Sequence, residues 1–200
     1  MIQDTIAGIA TAMGEGAISI IRISGPDALS ITNKLFRNKD LTIVDASFAV
    51  EQYAIAVKKG NKALLDSINK TIMTIKIDGT YENLINAFMP VDGNIVIPEI
   101  ADVDSKEVVK MGTNAAFPPF EYIKGSEAVG FDVSMSKLIA KDLNKKLQVV
   151  DMSFDGLIAA VQSGAVDFVA AGMTATDERR QNVDFSEPYY ESNQVIIVRK

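Results

Sequence analysis

The segment Ala170–Arg180, AAGMTATDERR, gathers polar chemistry into a few residues of this 200-residue chain. It follows a run that reads as a strand, residues 166–170, and opens a helical turn at residues 177–181. Thr176 stands where a side-chain oxygen can cap that helix, with Asp177 and Glu178 in its first turn. Backbone N–H groups at a helix start point outward and favour an anion. Thr174 adds a hydroxyl. Arg179, three residues past the cap, adds a planar fork that matches a carboxylate bidentately. Together they suit a small carboxylate. The alternative is a capped surface helix whose Arg179 pairs with Asp177, Glu178 or Glu187, because charges near a helix start commonly cap or solvate it.

Two aromatic stretches could complete such a site. TNAAFPPFEY, residues 113–122, follows another strand candidate, with Pro118 and Pro119 stiffening a loop between Phe117 and Phe120. An aromatic on a stiff loop can wall the apolar stem of a ligand; the alternative is a core aromatic in a tight turn, and Phe120 is read that way. Phe154, in residues 152–155, starts a helix just after a third strand candidate. By itself it reads as core.

Other chemistry is excluded by what the chain lacks. It has no histidine, cysteine or tryptophan. That removes disulfides, thiolate metal sites, cysteine nucleophiles and the commonest general base. The net charge of -6 disfavours a nucleic-acid partner. Gly14-Glu15-Gly16 is a lone GxG without a Walker lysine, Asp102 and Asp104 lack EF-hand spacing, and Lys58-Lys59 and Arg179-Arg180 are too few for a phosphate-backbone footprint. A small-molecule binder or interaction module without a cofactor is expected. The first residues carry Asp4 and no early Lys or Arg, unlike a secretory signal peptide, so the chain as written is expected to stay in the cytoplasm.

The elements that must position these residues fall into four blocks. Residues 1–40 read β-β-α, with apolar runs at 5–10 and 17–23 and a helix over 28–36 opened by Pro26. In residues 41–89, strands are expected at 42–44 and 53–57. A helix capped by Asn61 carries Leu64, Leu65, Ile68, Ile72 and Ile75, and Thr80 caps a second one. Residues 90–106 read as a linker with a short edge strand at 95–97. Residues 107–200 alternate strands at 108–112, 147–150, 166–170 and 195–198 with helices at 131–143 and 154–162. Tyr189-Tyr190 reads as a strand entry. Such alternation predicts an α/β fold with a mostly parallel central sheet, whose ligands bind at the carboxyl ends of the strands.

At these residues a resemblance becomes visible. MGTNAAFPPFEY, GFDVSMSKLIAKDL, VVDMSFDGLIAAVQSG, VDFVAAGMTATDERRQNVDFSEPYY and SNQVIIVRK resemble the first lobe of the amino-acid-binding receptors of ABC importers, over residues 107–200. YAIAVKKGNKALLDSINKTIMTIKIDGTYENLINAF, residues 53–88, resembles the C-terminal tail of the same family, with VDASFAVEQ as the approach to its hinge strand. The order is reversed, so the resemblance implies a circularly permuted, periplasmic-binding-protein-like lobe without its second lobe, plus the N-terminal β-β-α unit. DTIAGIATAMGEGAISIIRISGPDALSI resembles the start of the tRNA-modification GTPase family MnmE/TrmE over about the first 37 residues, with Met13 where that family usually has proline. The two together imply a chimera.

The resemblance implies roles. Arg179 and Thr174 would hold the ligand's α-carboxylate, the Gly172 carbonyl its ammonium, Phe117 and Phe154 would sandwich it, and Asn114 would meet its side chain. It implies non-enzymatic, weak binding of a free amino acid by a half receptor, an ABC-transporter permease as partner and an extracytoplasmic setting. Residues 53–57 and 195–198, like the family's hinge strands, should pair, and residues 61–88 should pack on the lobe. Two rivals remain open: a foldable chimera with no physiological ligand, and a folate-binding or homodimerising fragment of the GTPase family built on residues 1–40.

Overall fold

The computed structural model describes residues 50–90 and 93–192 in full, together with the backbone of the strands Ile6–Ile9 (β1), Ile21–Ser24 (β2), Leu41–Ile43 (β3), Ala49–Tyr53 (β4), Tyr190–Gln194 (β13) and Ile197–Arg199 (β14). The expected helix over residues 28–36 lies outside the described residues. Two compact units divide the chain: Met1–Glu51 with Glu191–Lys200, and Gln52–Tyr190. In the first, β1 and β2 form an antiparallel hairpin, and β3 pairs antiparallel with β14. Strands β4 and β13 pair with one another, and the chain passes between the units within them.

The second unit starts with Ala56–Lys58 (β5). Gly60, at φ 83°, turns the chain into the helix Lys62–Ile77 (α1), where the Asn61 side chain accepts the Leu64 N–H at 3.4 Å. Ile68, Thr71, Ile72 and Ile75 are buried on one stripe of α1. Gly79 takes the left-handed conformation, and Thr80–Phe88 (α2) follows, burying Leu84, Ile85 and Phe88. Thr80 does not cap this helix: its own N–H is taken by the Asp78 carboxylate at 2.9 Å. Residues 93–106 hold neither helix nor strand, so the expected edge strand at 95–97 is not formed; Val96 N–H bonds instead to the Ala87 carbonyl at the end of α2.

Val108–Thr113 (β6) leads into a small antiparallel sheet, Ala116–Phe117 (β7), Glu121–Lys124 (β8) and Glu127–Val129 (β9). The helix Phe131–Asp142 (α3), the strand Lys146–Asp151 (β10), a 3-10 turn at Phe154–Gly156, the helix Leu157–Ser163 (α4), Phe168–Val169 (β11), the single-turn helix Asp177–Arg180 (α5) and Val183–Phe185 (β12) complete the unit. Gly164, left-handed at φ 80°, closes α4.

The central sheet has the order β10-β6-β11-β5-β12. Strands β10, β6 and β11 run parallel; β5 runs antiparallel to both β11 and β12, so four of the five strands share one direction. A mostly parallel sheet is therefore what forms, with one reversed strand inside it. Ala54 and Ala56 pack with Leu157, Val161, Val169 and Val183 in one apolar cluster under α4. By strand alternation Ile55 and Val57, fully buried, face the other way. Helix α1 packs on α2 and α3, and Thr71 donates to the Asp142 carboxylate at 2.7 Å, fastening α1 to the end of α3.

The expected pairing of residues 53–57 with 195–198 is not formed. Ile197–Arg199 pairs with Leu41–Ile43, and Tyr53 lies instead in β4, which pairs with β13. The reason is that residues 54–57 are fully buried, with β5 taken up between β11 and β12, so they have no edge left to offer.

Candidate functional site

Three parallel strands end side by side at Thr113, Asp151 and Val169, and the loops beyond them carry the residues singled out above. The loops are fastened to one another. Thr113 Oγ1 donates to the Ala170 carbonyl at 2.8 Å, Met152 N–H to the Thr113 carbonyl at 3.0 Å, and Ala115 N–H to the Asp151 carboxylate at 2.8 Å. Asn114 belongs to this lacing: its Nδ2 donates to the Met152 carbonyl at 2.9 Å.

Asn114, Phe117, Phe154, Gly172, Thr174 and Arg179 are all half-buried, at the boundary between core and solvent. Arg179 Nη1 donates to the Thr174 carbonyl at 2.8 Å, and its guanidinium lies over the Phe154 ring, 5.3 Å from the centroid. Among the described residues Arg179 forms no ion pair with Asp177, Glu178 or Glu187, and its other guanidinium N–H groups find no protein partner. Thr176 caps α5 as expected, accepting Arg179 N–H at 3.3 Å. That helix is a single turn of four residues, so the cation of Arg179 outweighs any helix dipole in attracting an anion.

Phe117 lies against Gly172. A Cβ added there would stand 3.0 Å from Phe117 Cε1, and the backbone is left-handed at φ 50°, so the close approach depends on glycine. Phe117 stacks on Phe120 with centroids 5.4 Å apart; Phe120 is buried, as its sequence reading had it. The structure thus forms two groupings, Phe117 with Gly172 and Thr174 with Arg179 and Phe154, joined by the short segment from Gly172 to Thr174.

Six residues around this segment were not read as part of the site from the sequence. Tyr53 forms a β-bridge with Thr174, and its ring is 98% buried, stacked on Tyr190. Gln52 and Ala54 hold the loop from the same side: Ala175 N–H donates to the Gln52 carbonyl and Ala54 N–H to the Met173 carbonyl. Behind the loop lie Asp132, Glu121 and Tyr189. Asp132 Oδ2 accepts the Gly172 N–H at 2.9 Å and the Tyr189 hydroxyl at 2.7 Å. Burial raises the Asp132 carboxyl above its ordinary range, and its hydrogen bonds to Gly172, Tyr189 and Glu121 oppose that. Burial and then the neighbouring Asp132 charge push Glu121 well above the carboxylate range. The Tyr189 phenol is likewise pushed up, first by burial and then by Asp132. The only local signal was an acid in the first turn of α3, which reads equally well as a charge complementing the helix dipole at the surface.

Comparison with known proteins divides the chain between residues 102 and 109, not at the boundaries of the two compact units. Residues 109–200 match the family model of bacterial extracellular solute-binding proteins, family 3. Residues 5–102 match the model of the GTP-binding protein TrmE N-terminus, well past the opening 37 residues. The arginine-binding extracellular protein ArtP of Bacillus subtilis (strain 168) is 46% identical over 95 residues, which are 48% of this chain and 37% of the relative. ABC transporter arginine-binding protein 1 of Escherichia coli (strain K12) is 37% identical over 95 residues, 47% of this chain and 39% of the relative. The arginine-bound crystal structure of domain 1 from TmArgBP is 38% identical and matches 51% of this chain and 87% of that one, with a TM-score of 0.42. The chain spans little more than a third of the length of these curated relatives. Both relatives are binding proteins by name. Residues 109–200 thus match the bacterial extracellular solute-binding proteins of family 3, in one chain with residues 5–102, which match the TrmE N-terminus.

Proposed function

We propose that the unit Gln52–Tyr190 is a one-lobed receptor that binds a free amino acid by its carboxylate, without catalysis. The observation that carries this reading is Arg179. Its half-buried guanidinium is fixed by the Thr174 carbonyl and the Phe154 ring, and no acid among the described residues neutralises it. A cation so fixed is pre-organised for a carboxylate. In this reading the Thr174 hydroxyl assists Arg179, the Gly172 carbonyl takes the ammonium, and Phe117 and Phe154 wall the aliphatic stem. Asn114, already bonded to Met152, offers its remaining oxygen to the ligand side chain. The names of the relatives favour arginine as the first ligand to try. We further read residues 53–88 as a tail of the same receptor in permuted order, a reading supported by the position of β5 inside the sheet.

One lobe leaves a face of the ligand and its ammonium in water, where polar contacts are weakened. Binding is therefore set near millimolar, on the order of 4 kcal/mol. Isothermal titration with L-arginine, L-histidine, L-glutamine and glycine tests this. The expected result is weak saturable binding that Arg179→Ala abolishes while the thermal transition stays in place. Low-micromolar affinity would contradict the open half site. Unfolding of Arg179→Ala would show that the guanidinium is structural.

A further inference from the structure

Asp132 is fully buried in the first turn of α3, and Glu121, at the start of β8, is 99% buried. The two carboxyl groups are within hydrogen-bonding reach of one another. Oδ1 of Asp132 and Oε2 of Glu121 are both buried and find no donor among the described residues. Among the described residues no lysine or arginine acts on either group. Two carboxylates in such a place repel and lack solvation, whereas one carboxylate and one carboxylic acid share a hydrogen bond and satisfy each other. The other titratable groups facing the pair are phenols: Tyr189, which donates to Asp132, Tyr81 on α2, which donates to the Tyr189 carbonyl at 2.6 Å, and Tyr53 beside Tyr189. The Tyr189 and Tyr81 phenols are pushed up by burial and remain neutral at ordinary pH, so the pair's single negative charge meets the site through the Gly172 N–H.

Gly172 is where the loop is most demanding. Its backbone is left-handed, its carbon is pressed against Phe117, and the next two residues lead to the Thr174 carbonyl that holds Arg179. We propose that Asp132 is a positioning residue of the amino-acid site: joined to Glu121 through a shared proton, it fixes the Gly172 amide and so the loop that presents Thr174 and Arg179, without touching the ligand. This rests on the binding function proposed above.

Loss of the shared proton places two charges behind the loop and loosens the clamp. The folded pair keeps its proton more tightly than exposed carboxyls do. Its contribution to order is therefore complete below the ordinary carboxyl range and declines as pH rises through the raised titration.

The test uses the full chain, with L-arginine as probe and the Gly172 amide followed by NMR and hydrogen exchange. Asp132→Ala should speed Gly172 exchange and weaken L-arginine binding, each about tenfold or more, the scale of a lost hydrogen bond to a charged group. Asp132→Asn keeps an acceptor for both donors and should restore both readouts to within about threefold of wild type, less than one such bond. In wild type the Gly172 resonance should move and binding weaken as pH rises; in Glu121→Gln both should be flat. Unchanged Gly172 exchange in Asp132→Ala overturns the proposal. Should that variant not fold, the wild-type and Glu121→Gln titrations decide: a flat response in the variant supports it, and the same titration in both overturns it. If wild type binds no amino acid, the site reading fails by itself, and the amide still reports whether the clamp exists.

Discussion

Gly130 and Gly79 both hold left-handed backbone, at φ 137° and 85°, yet they answer to different constraints. A Cβ on Gly130 would stand 2.1 Å from the Phe120 carbonyl oxygen, because α3 begins hard against the loop that carries the aromatic residues. A Cβ on Gly79 meets nothing within 4 Å. Gly79→Ala should therefore cost only the backbone strain, about 1–2 kcal/mol. Gly130→Ala should cost several-fold more or prevent folding, since the atoms in its way are backbone. Urea denaturation of the two variants checks the contrast, and equal losses would mean the loop at Phe120 yields. At this scale the sequence was informative where the chemistry is local. Thr176 caps its helix and Phe120 is buried, and both follow from neighbouring residues. Asp132 was not legible, because its burial depends on Tyr189, 57 positions away, and nothing beside it in sequence distinguishes a buried acid from a helix-start charge.

Helix α1 shows what an element makes predictable. Its stripe of Ile68, Ile72 and Ile75 is buried, while Met73 and Ile77 on the same helix are 58% and 77% exposed. Ile72→Ala removes buried methyl groups and should cost about 2–5 kcal/mol. Ile77→Ser changes a residue in water and should stay within about 0.5 kcal/mol. Thermal melts of the two variants give the comparison; a large effect at Ile77 would mean that this face is covered in solution. The 3.6-residue period made α1 and α3 legible because each runs for three or more turns. Strands β7, β8 and β9 have two to four residues each, too few for alternation to register. Residues 53–57 read as one strand, but Ala54 bonds to Met173 and Ile55 to the Ser186 hydroxyl, and these side partners divide it between β4 and β5.

Within the larger unit, β5 determines whether the sheet exists as a whole. Phe168 and Val169 pair with Val57 and Ala56 on one side, and Val183, Asp184 and Phe185 pair with the same strand on the other. Remove β5 and both β11 and β12 are left with open edges in the middle of the sheet. Removing the preceding residues also strips the site loop, since Gln52, Tyr53 and Ala54 hold Thr174, Ala175 and Met173. Alternation of strands and helices indicated a mostly parallel sheet, but it could not reveal a reversed strand arriving from more than a hundred residues earlier than β11; only the likeness of residues 53–88 to a receptor tail pointed that way. A chain of residues 93–200 alone should thus lack cooperative unfolding, show collapsed amide dispersion and bind no L-arginine. Residues 50–90 supplied as a separate peptide should restore all three, because the strand and its two helices bring their own apolar faces, Ile68, Ile72, Leu84 and Phe88 among them. Independent folding of 93–200 with a dispersed spectrum would mean that β11 and β12 can close on each other. The embedded strand would then be an accessory, and the ordering of the Arg179 loop would have to come from Asp132 and the strand-end hydrogen bonds alone.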